Sequence, residues 1–441
     1  MSERPPRSTG LLPWAASAAW GWRLELALAA GIVAGARVAN ELGRGGGLLL
    51  AGIIAIAWWR LPGLRRRLVR ALRDSAHRRR FARAVRACWV GRLTTALPAI
   101  HSVIPTPAGF RVRVRVPVGT HTGHLAERAE TMAAALRVRE VRVERAADDA
   151  SLADLVVVRR DPLAEAVVDW PWRHRPTTSL WESVPLGIDE EGHAVEVRLP
   201  EHNLLLGGEP GAGKSAALSL LVAAAALDPR VTLTLLDGKQ VELAPWMGAS
   251  DRFVGPDPAD AIEVLNDIRT EMDVRYERLL KERRRKVDPE HGPGLHVVAV
   301  DELAYFLRGG TREQRTAIAE AFRDLVSRGR AAGIVVLAAT QKPSHEVIPT
   351  WIRDLFSFRL ALRCTTPEAS DTILGQGWAS QGYSAATIDP AIRGVGFLLH
   401  EGGVPRKLRT AYLDDEGVAN IAARAAAVRL TGEPGSWWRE R

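Results

Sequence analysis

The chain has 441 residues, 46% apolar and 25% charged, too long for one core of ordinary size, so two or three domains are expected. Its two cysteines, Cys88 and Cys364, lie far apart with no C-x-x-C and no His/Cys cluster, which argues against a disulfide framework or a zinc site and suits a reducing compartment. A net charge of +9 suggests a nucleic-acid binder, but residues 1–80 hold 14 Arg against 4 Asp and Glu and leave the rest of the chain at −1, so the basicity is local.

Two apolar stretches open the chain. The first, Trp20–Val38, is interrupted by Arg23, Glu25 and Arg37; the second, Gly45–Trp59, is uncharged. The second is short of the ~20 residues that span a bilayer, but with Leu61 and snorkelling by Arg44 and Arg60 it could just cross. Trp14, Trp20, Trp22, Trp58 and Trp59 stand at the ends, where amphipathic rings favour the membrane–water boundary, and the arginine run 60–80 is of the kind held on the cytoplasmic side. Residues 1–80 are therefore expected to form a helical membrane hairpin with a basic juxtamembrane helix; the alternative is a buried hairpin followed by a solvated helix. An even number of spans keeps both ends in the cytoplasm.

In residues 81–182, FRVRVRVPVGT at 110–120 alternates apolar and basic side chains, the mark of a half-buried strand. A helix over His124–Leu136 and strands at Val141–Arg145 and Leu155–Arg159 complete a small α+β domain. Asp161–Trp181, with three prolines and three tryptophans, reads as a linker.

From residue 183 the pattern changes. Nearly continuous apolar runs at Leu204–Leu206, Val231–Leu236, Val297–Val300, Ile334–Ala339 and Phe356–Leu362 are separated by helix-length segments. Strands without alternation are buried on both faces, so this part is α/β with a mostly parallel sheet. After the first run come Gly208, Glu209, Pro210, Gly211, Ala212, Gly213, Lys214, Ser215 and Ala216, which fit G-x-x-x-x-G-K-[ST] between a strand and a helix. Glycines there let backbone N–H groups turn inward on phosphates at a helix N-terminus. Lys214 is expected to neutralise the β- and γ-phosphates of ATP and Ser215 to ligate Mg²⁺.

A second run ends at Asp301-Glu302, which places Asp301 in the Mg²⁺ shell and Glu302 where it would orient or deprotonate the attacking water. A third ends at Gln341, which either senses the γ-phosphate or positions water, or is a turn residue before Pro343. The expected reaction is phosphoryl transfer to water.

Several segments in order resemble the FtsK/SpoIIIE family of DNA-translocating ATPases: 184-VPLGIDEEGHAVEVRL-199, 237-DGKQVELAPW-246, 271-EMDVRY-276, 301-DELA-304 and 327-SRGRAAGIVVLAATQKPS-344. The resemblance covers about residues 183–412. It implies a RecA-like P-loop NTPase domain that forms a homo-hexameric ring, pumps double-stranded DNA through its channel and is tethered to the cell membrane with the motor in the cytoplasm. Residues 413–441, one helix and a tail, are too few for the winged-helix module of chromosome-segregating members. The tract 371–403 looks more like the small transfer proteins of actinomycete conjugative plasmids. The expected function is thus conjugative DNA transfer; a chromosome-partitioning translocase, a secretion-type ATPase acting on proteins and a non-motor ATP switch are the alternatives.

Two expectations concern charged residues. In 260–286, Ile262, Leu265, Ile268, Met272, Leu279 and Leu280 share one helical stripe, with Arg275, Arg278, Lys281 and 283–285 elsewhere on the surface, either touching phosphates or merely solvated. Arg330, with Arg328, Arg359 and Arg363 as competitors, is the candidate for an arginine offered to a neighbour's γ-phosphate; a helix-end dipole partner is the other reading of Arg328.

Overall fold

The computed structural model describes residues 23–41, 60, 62–89, 97–146, 149–165, 167–341 and 349–431. The chain divides into two compact units, 1–161 and 162–441.

The first unit begins with helices α1 (Arg23–Glu41) and α2 (Pro62–Trp89). Strands β1 (Ala99–Thr106) and β2 (Gly109–Arg115) form a hairpin, helices α3 (Thr122–Ala126) and α4 (Ala129–Leu136) follow, and β3 (Glu140–Arg145) and β4 (Leu152–Val158) complete an antiparallel sheet in the order β1-β2-β4-β3. Alternation along β2 sorts its side chains: Phe110, Val112 and Val114 join a core with Leu125, Met132 and Leu155, while Arg113 on the other face grips both oxygens of Asp154 at 2.8 and 2.7 Å. Phe81 and Val85 of α2 belong to the same core. Helix α2 therefore runs unbroken through the domain boundary expected at residue 80, because Phe81 and Val85 in its second half enter the core of the sheet domain.

The first apolar stretch falls largely in α1. Among the described residues no helix is long and apolar enough to cross a membrane. The second stretch of the expected hairpin, Gly45–Trp59, lies outside the described residues, as do Trp14, Trp20 and Trp22.

The second unit is built on a ten-stranded sheet. After the short helix α5 (Pro162–Glu165), β5 (Val184–Asp189) and β6 (Ala194–Val197) lead to β7 (Leu204–Gly207), α6 (Lys214–Ala226), β8 (Thr232–Leu236), β9 (Arg252–Val254) and α7 (Pro258–Lys281). Then come β10 (His296–Val300), α8 (Leu303–Arg308), α9 (Arg312–Ala332), β11 (Ile334–Thr340), α10 (Thr350–Arg353), β12 (Phe358–Leu362), α11 (Pro367–Leu374), β13 (Val395–His400), β14 (Arg406–Thr410) and α12 (Asp415–Thr431).

The six strands β12, β7, β11, β10, β8 and β9 are parallel, and β13, β14, β5 and β6 extend the sheet antiparallel. The central strands are buried on both sides: Leu204 and Leu206 enter the core that holds α6 and α12, whereas Leu205 enters the one beneath α7, α8 and α9.

Residues 161–181, expected as a linker, instead supply core. Trp170, Trp172 and Leu180 are buried in the second unit, and Trp170 Nε1 donates to the Pro185 carbonyl at 3.0 Å. The C-terminal helix is also integral, with Ile421, Ala422 and Ala425 packed in the same core. These two segments meet the C-terminal end of α6. Thr178 Oγ1 donates to Ala224 O at 2.7 Å, and Arg429 donates to Ala225 O and Ala226 O at 3.3 and 3.2 Å while pairing with Asp251.

The helix 258–281 departs from its expected surface. Leu280 is exposed, and Arg275 is buried inside the unit rather than available to DNA. Its guanidinium donates to Glu271 Oε1 at 2.6 and 2.9 Å and to the carbonyls of Gly294 and Ala332 at 3.0 and 2.9 Å. His296 Nδ1 lies 2.8 Å from the other Glu271 oxygen and its Nε2 lies 2.9 Å from Thr234 Oγ1. Burial alone would raise the Glu271 carboxyl, but His296 and Arg275 outweigh it and hold it at about 2.

Glu271→Ala strands a buried guanidinium and should cost the second unit about 3–5 kcal/mol in denaturant unfolding. Because the native carboxyl sits at about 2 against an ordinary 4.5, its contribution is present above pH 4.5 and is lost as pH falls toward 2. The wild type should therefore lose more stability over that window than the Glu271→Ala variant.

Candidate nucleotide site

Parallel strands all deliver their succeeding loops to one edge of the sheet. In the register of β7 with β11, Gly207 stands opposite Thr340, so the glycine loop and Gln341 emerge side by side; β10 and β8, aligned through Val300 and Leu236, release Asp301 and Asp237 at the same edge.

The loop after β7 is held mainly by its backbone. Gly208 N donates to Thr340 O at 3.3 Å, Glu209 N to Arg363 O at 3.0 Å, and Ala212 N to Glu209 O at 3.2 Å. The Glu209 side chain pairs with Arg363 at 2.5 Å. Pro210 and Gly211 stand exposed at the tip. Gly213, the N-cap of α6, has φ 103°, and a Cβ there would lie 2.9 Å from Gly394 N, so only glycine fits. That proximity belongs to a strap before β13, where Gly394 N donates to Ala212 O at 2.9 Å.

Lys214, Ser215 and Ala216 then form the first turn of α6. Lys214 is only 4% exposed; burial lowers its pKa, and the charges of Asp301 and Glu302 oppose the shift. Asp301 is wholly buried, and neither carboxylate oxygen has a hydrogen-bond partner among the described residues. Burial pushes this carboxyl up to about 6, with Lys214 acting against it and Glu242 and Asp237 reinforcing it.

Glu302 is tied to the next strand: Oε1 accepts from Thr340 Oγ1 at 2.9 Å and Oε2 from Gln341 N at 3.0 Å. Ammonium groups only donate, so the Gln341 amide presents its oxygen to them, 2.5 Å from Lys239 Nζ and 3.2 Å from Lys214 Nζ. Gln341 thus lies beside Lys214 and Lys239.

The arrangement fits a magnesium nucleotide. The two unpartnered Asp301 oxygens feel the charge of Lys214, which opens the helix after the glycine loop. The Asp301 carboxylate and the Ser215 hydroxyl are oxygen donors of the kind magnesium takes alongside phosphate oxygens.

Arg330 is at the other edge of the sheet, just before β11, where Nε donates to Glu201 O at 2.7 Å and Nη2 pairs with Glu401 at 3.1 Å. It does not meet Lys214 within one chain. Arg328 is engaged by Asp273 and Asp324 and lies over the Tyr276 ring. Asp237, Lys239 and Glu242, in the loop after β8, had no role from the sequence; the available signal was the motif 237-DGKQVELAPW-246.

A family model for FtsK/SpoIIIE proteins matches residues 170–373, from Trp170 through the glycine loop, Asp301 and Gln341. The chain carries an FtsK/SpoIIIE-family domain. A second model, the actinomycete conjugal transfer protein N-terminal domain, matches residues 52–153. The chain is similar to the DNA translocase FtsK of Lactiplantibacillus plantarum, 27% identical over 75% of this chain and 44% of that protein, and to the one of Staphylococcus aureus, 26% identical over 71% and 41%. The chain thus spans less than half the length of these relatives. Among solved structures, the monomer form of the pCW3 conjugation coupling protein TcpA with ATPγS superposes with TM-score 0.53 at 18% identity, covering 81% of this chain and 99% of that one. EssC ATPases 2 and 3 from Geobacillus thermodenitrificans give 0.50 at 15% identity, covering 61% and 53%. At these identities the likeness is one of fold, that of RecA-like P-loop ATPases.

Asp301 supplies a pH test of the site. Its folded pKa of about 6 lies above the ordinary 3.8, so the cost of its buried charge is absent at low pH, grows through that window and is complete above about 6. The nucleotide-free wild type should lose about 3 kcal/mol relative to Asp301→Asn as pH rises through it, measured by thermal or denaturant unfolding.

Proposed function

We propose that this chain hydrolyses ATP to drive double-stranded DNA through a homo-hexameric ring, and that it serves conjugative transfer from a membrane-tethered position in the cytoplasm. The observation that carries the reading is the meeting of buried Lys214, unpartnered Asp301 and Gln341 at one sheet edge, within an FtsK/SpoIIIE-family domain. In this reading the backbone from Gly208 to Ala216 cradles the phosphates, Lys214 neutralises them, and Ser215 with Asp301 holds Mg²⁺. Bound magnesium would supply Lewis-acid polarisation of the terminal phosphate. Glu302, fixed by Thr340 and the Gln341 amide, orients the attacking water. Arg330, at the opposite edge from Lys214, serves the site of a neighbouring subunit. The N-terminal match to actinomycete conjugal transfer proteins supports the transfer role, and the apolar and arginine-rich residues 20–80 support the tether. Relatives named as FtsK translocases favour a second reading, a chromosome-partitioning role for the same motor.

Duplex DNA should raise ATP turnover at low salt, and the stimulation should fall as salt rises because each neutralised phosphate releases a counterion. Lys214→Ala should abolish turnover while the protein stays folded, and Glu302→Gln should bind ATP without releasing phosphate. A phosphate-release assay decides both; turnover indifferent to duplex at every salt concentration would reject the DNA reading. Plasmid transfer between mating cells, compared with chromosome segregation in a strain lacking the gene, separates the two roles.

A further inference from the structure

The loop after β8 is built to hold one lysine at the nucleotide edge. The Asp237 carboxylate, wholly buried, accepts from the backbone N–H groups of Lys239 at 3.0 Å, Gln240 at 2.9 Å and Leu243 at 2.8 Å, while Asp237 N donates to Val254 O at 2.9 Å. Gln240 turns through φ 57° to close the loop. An internal carboxylate that binds three amides of its own loop freezes the backbone and leaves the Lys239 side chain exposed and pointing across the site to Gln341.

There Lys239 and Lys214 share one acceptor, the Gln341 amide oxygen, at 2.5 and 3.2 Å. Two cations converging on a neutral oxygen repel each other, and a neutral amide is a much weaker acceptor than an anionic phosphate oxygen. The Lys239 charge is felt at Lys214 and also at Asp301, so the second lysine belongs to the electrostatics of the whole site. A site with two cations gathered on one neutral group, beside a phosphate cradle, is poised to exchange that group for an anion.

We propose that Lys239 is a second cation for the terminal phosphate, parked on Gln341 when that phosphate is absent and transferred to it when a nucleoside triphosphate binds. The inference rests on the ATP reading of the site and adds to it a discriminating residue. Lys214, in the first turn of α6, serves nucleoside di- and triphosphates alike. Lys239 comes from the far side of the Asp301 strand and gains an anionic partner only from the extra phosphate. Its departure frees the Gln341 amide, which is bonded through its backbone to Glu302. Occupancy by the triphosphate is thereby passed to the water-orienting carboxylate.

The test is equilibrium binding of fluorescent ATPγS and ADP to the full chain with magnesium, in the wild type, Lys239→Met, Lys239→Arg and Lys214→Ala. Lys239→Met should weaken ATPγS about tenfold, the loss of one charge-assisted hydrogen bond, and leave ADP within about twofold. Lys239→Arg should recover part of the difference. Equal weakening of both nucleotides, or an unchanged ratio, would overturn the role of Lys239 while leaving the site intact. No binding by the wild type, or undiminished binding by Lys214→Ala, would overturn the site and the inference with it. Lys239 is exposed, so the Met variant should unfold at the wild-type temperature, and that measurement separates lost discrimination from lost fold.

Discussion

Strands that run the same way must finish on the same edge of a sheet, and this chain uses that constraint to gather residues scattered from Gly208 to Arg363. Each of β7, β8, β10, β11 and β12 is followed by a residue that would mean little alone: a glycine, an aspartate, another aspartate, a glutamine, an arginine. Parallel pairing makes them neighbours. The antiparallel strands β13 and β14 take part too, since the turn before β13 presses Gly394 against the backbone of the phosphate loop.

The site that results is electrostatically unfinished. Lys214 and Asp301 are both buried, yet Asp301 keeps two oxygens without hydrogen-bond partners among the described residues and its carboxyl resists ionisation. One other buried cluster of the same unit is complete: Glu271, Arg275, His296 and Thr234 form a chain in which each polar group has a partner. Two buried charge clusters in one domain, one closed and one open, separate scaffold from site without reference to any motif.

The parallel sheet and the glycine loop were legible in the sequence because both rest on local signals. Unbroken apolar runs such as Val297–Val300 report burial on both faces, and the loop has a fixed spacing between strand and helix. Arg275 was misplaced because periodicity counts an arginine as polar and cannot see that Glu271, one turn away, and the carbonyls of Gly294 and Ala332 make a buried seat for it. Trp170 and Trp172 read as linker because prolines surround them, although Trp170 bonds the Pro185 carbonyl of β5 and both rings enter the core that holds α6. Lys239 lies in 237-DGKQVELAPW-246 without a role that the sequence reveals, since its meaning depends on Gln341, which pairing of other strands brings beside it.

The two ends of α6 are fixed in different ways. At its start Gly213 is wedged against the strap at Gly394; at its finish the hydroxyl of Thr178 and the guanidinium of Arg429 occupy the last carbonyls. A rod seated at both tips has little slack to absorb displacement. The alanine-rich helix therefore cannot slide along its axis without breaking contacts at the phosphate-facing tip or at the segment around Thr178 and α12.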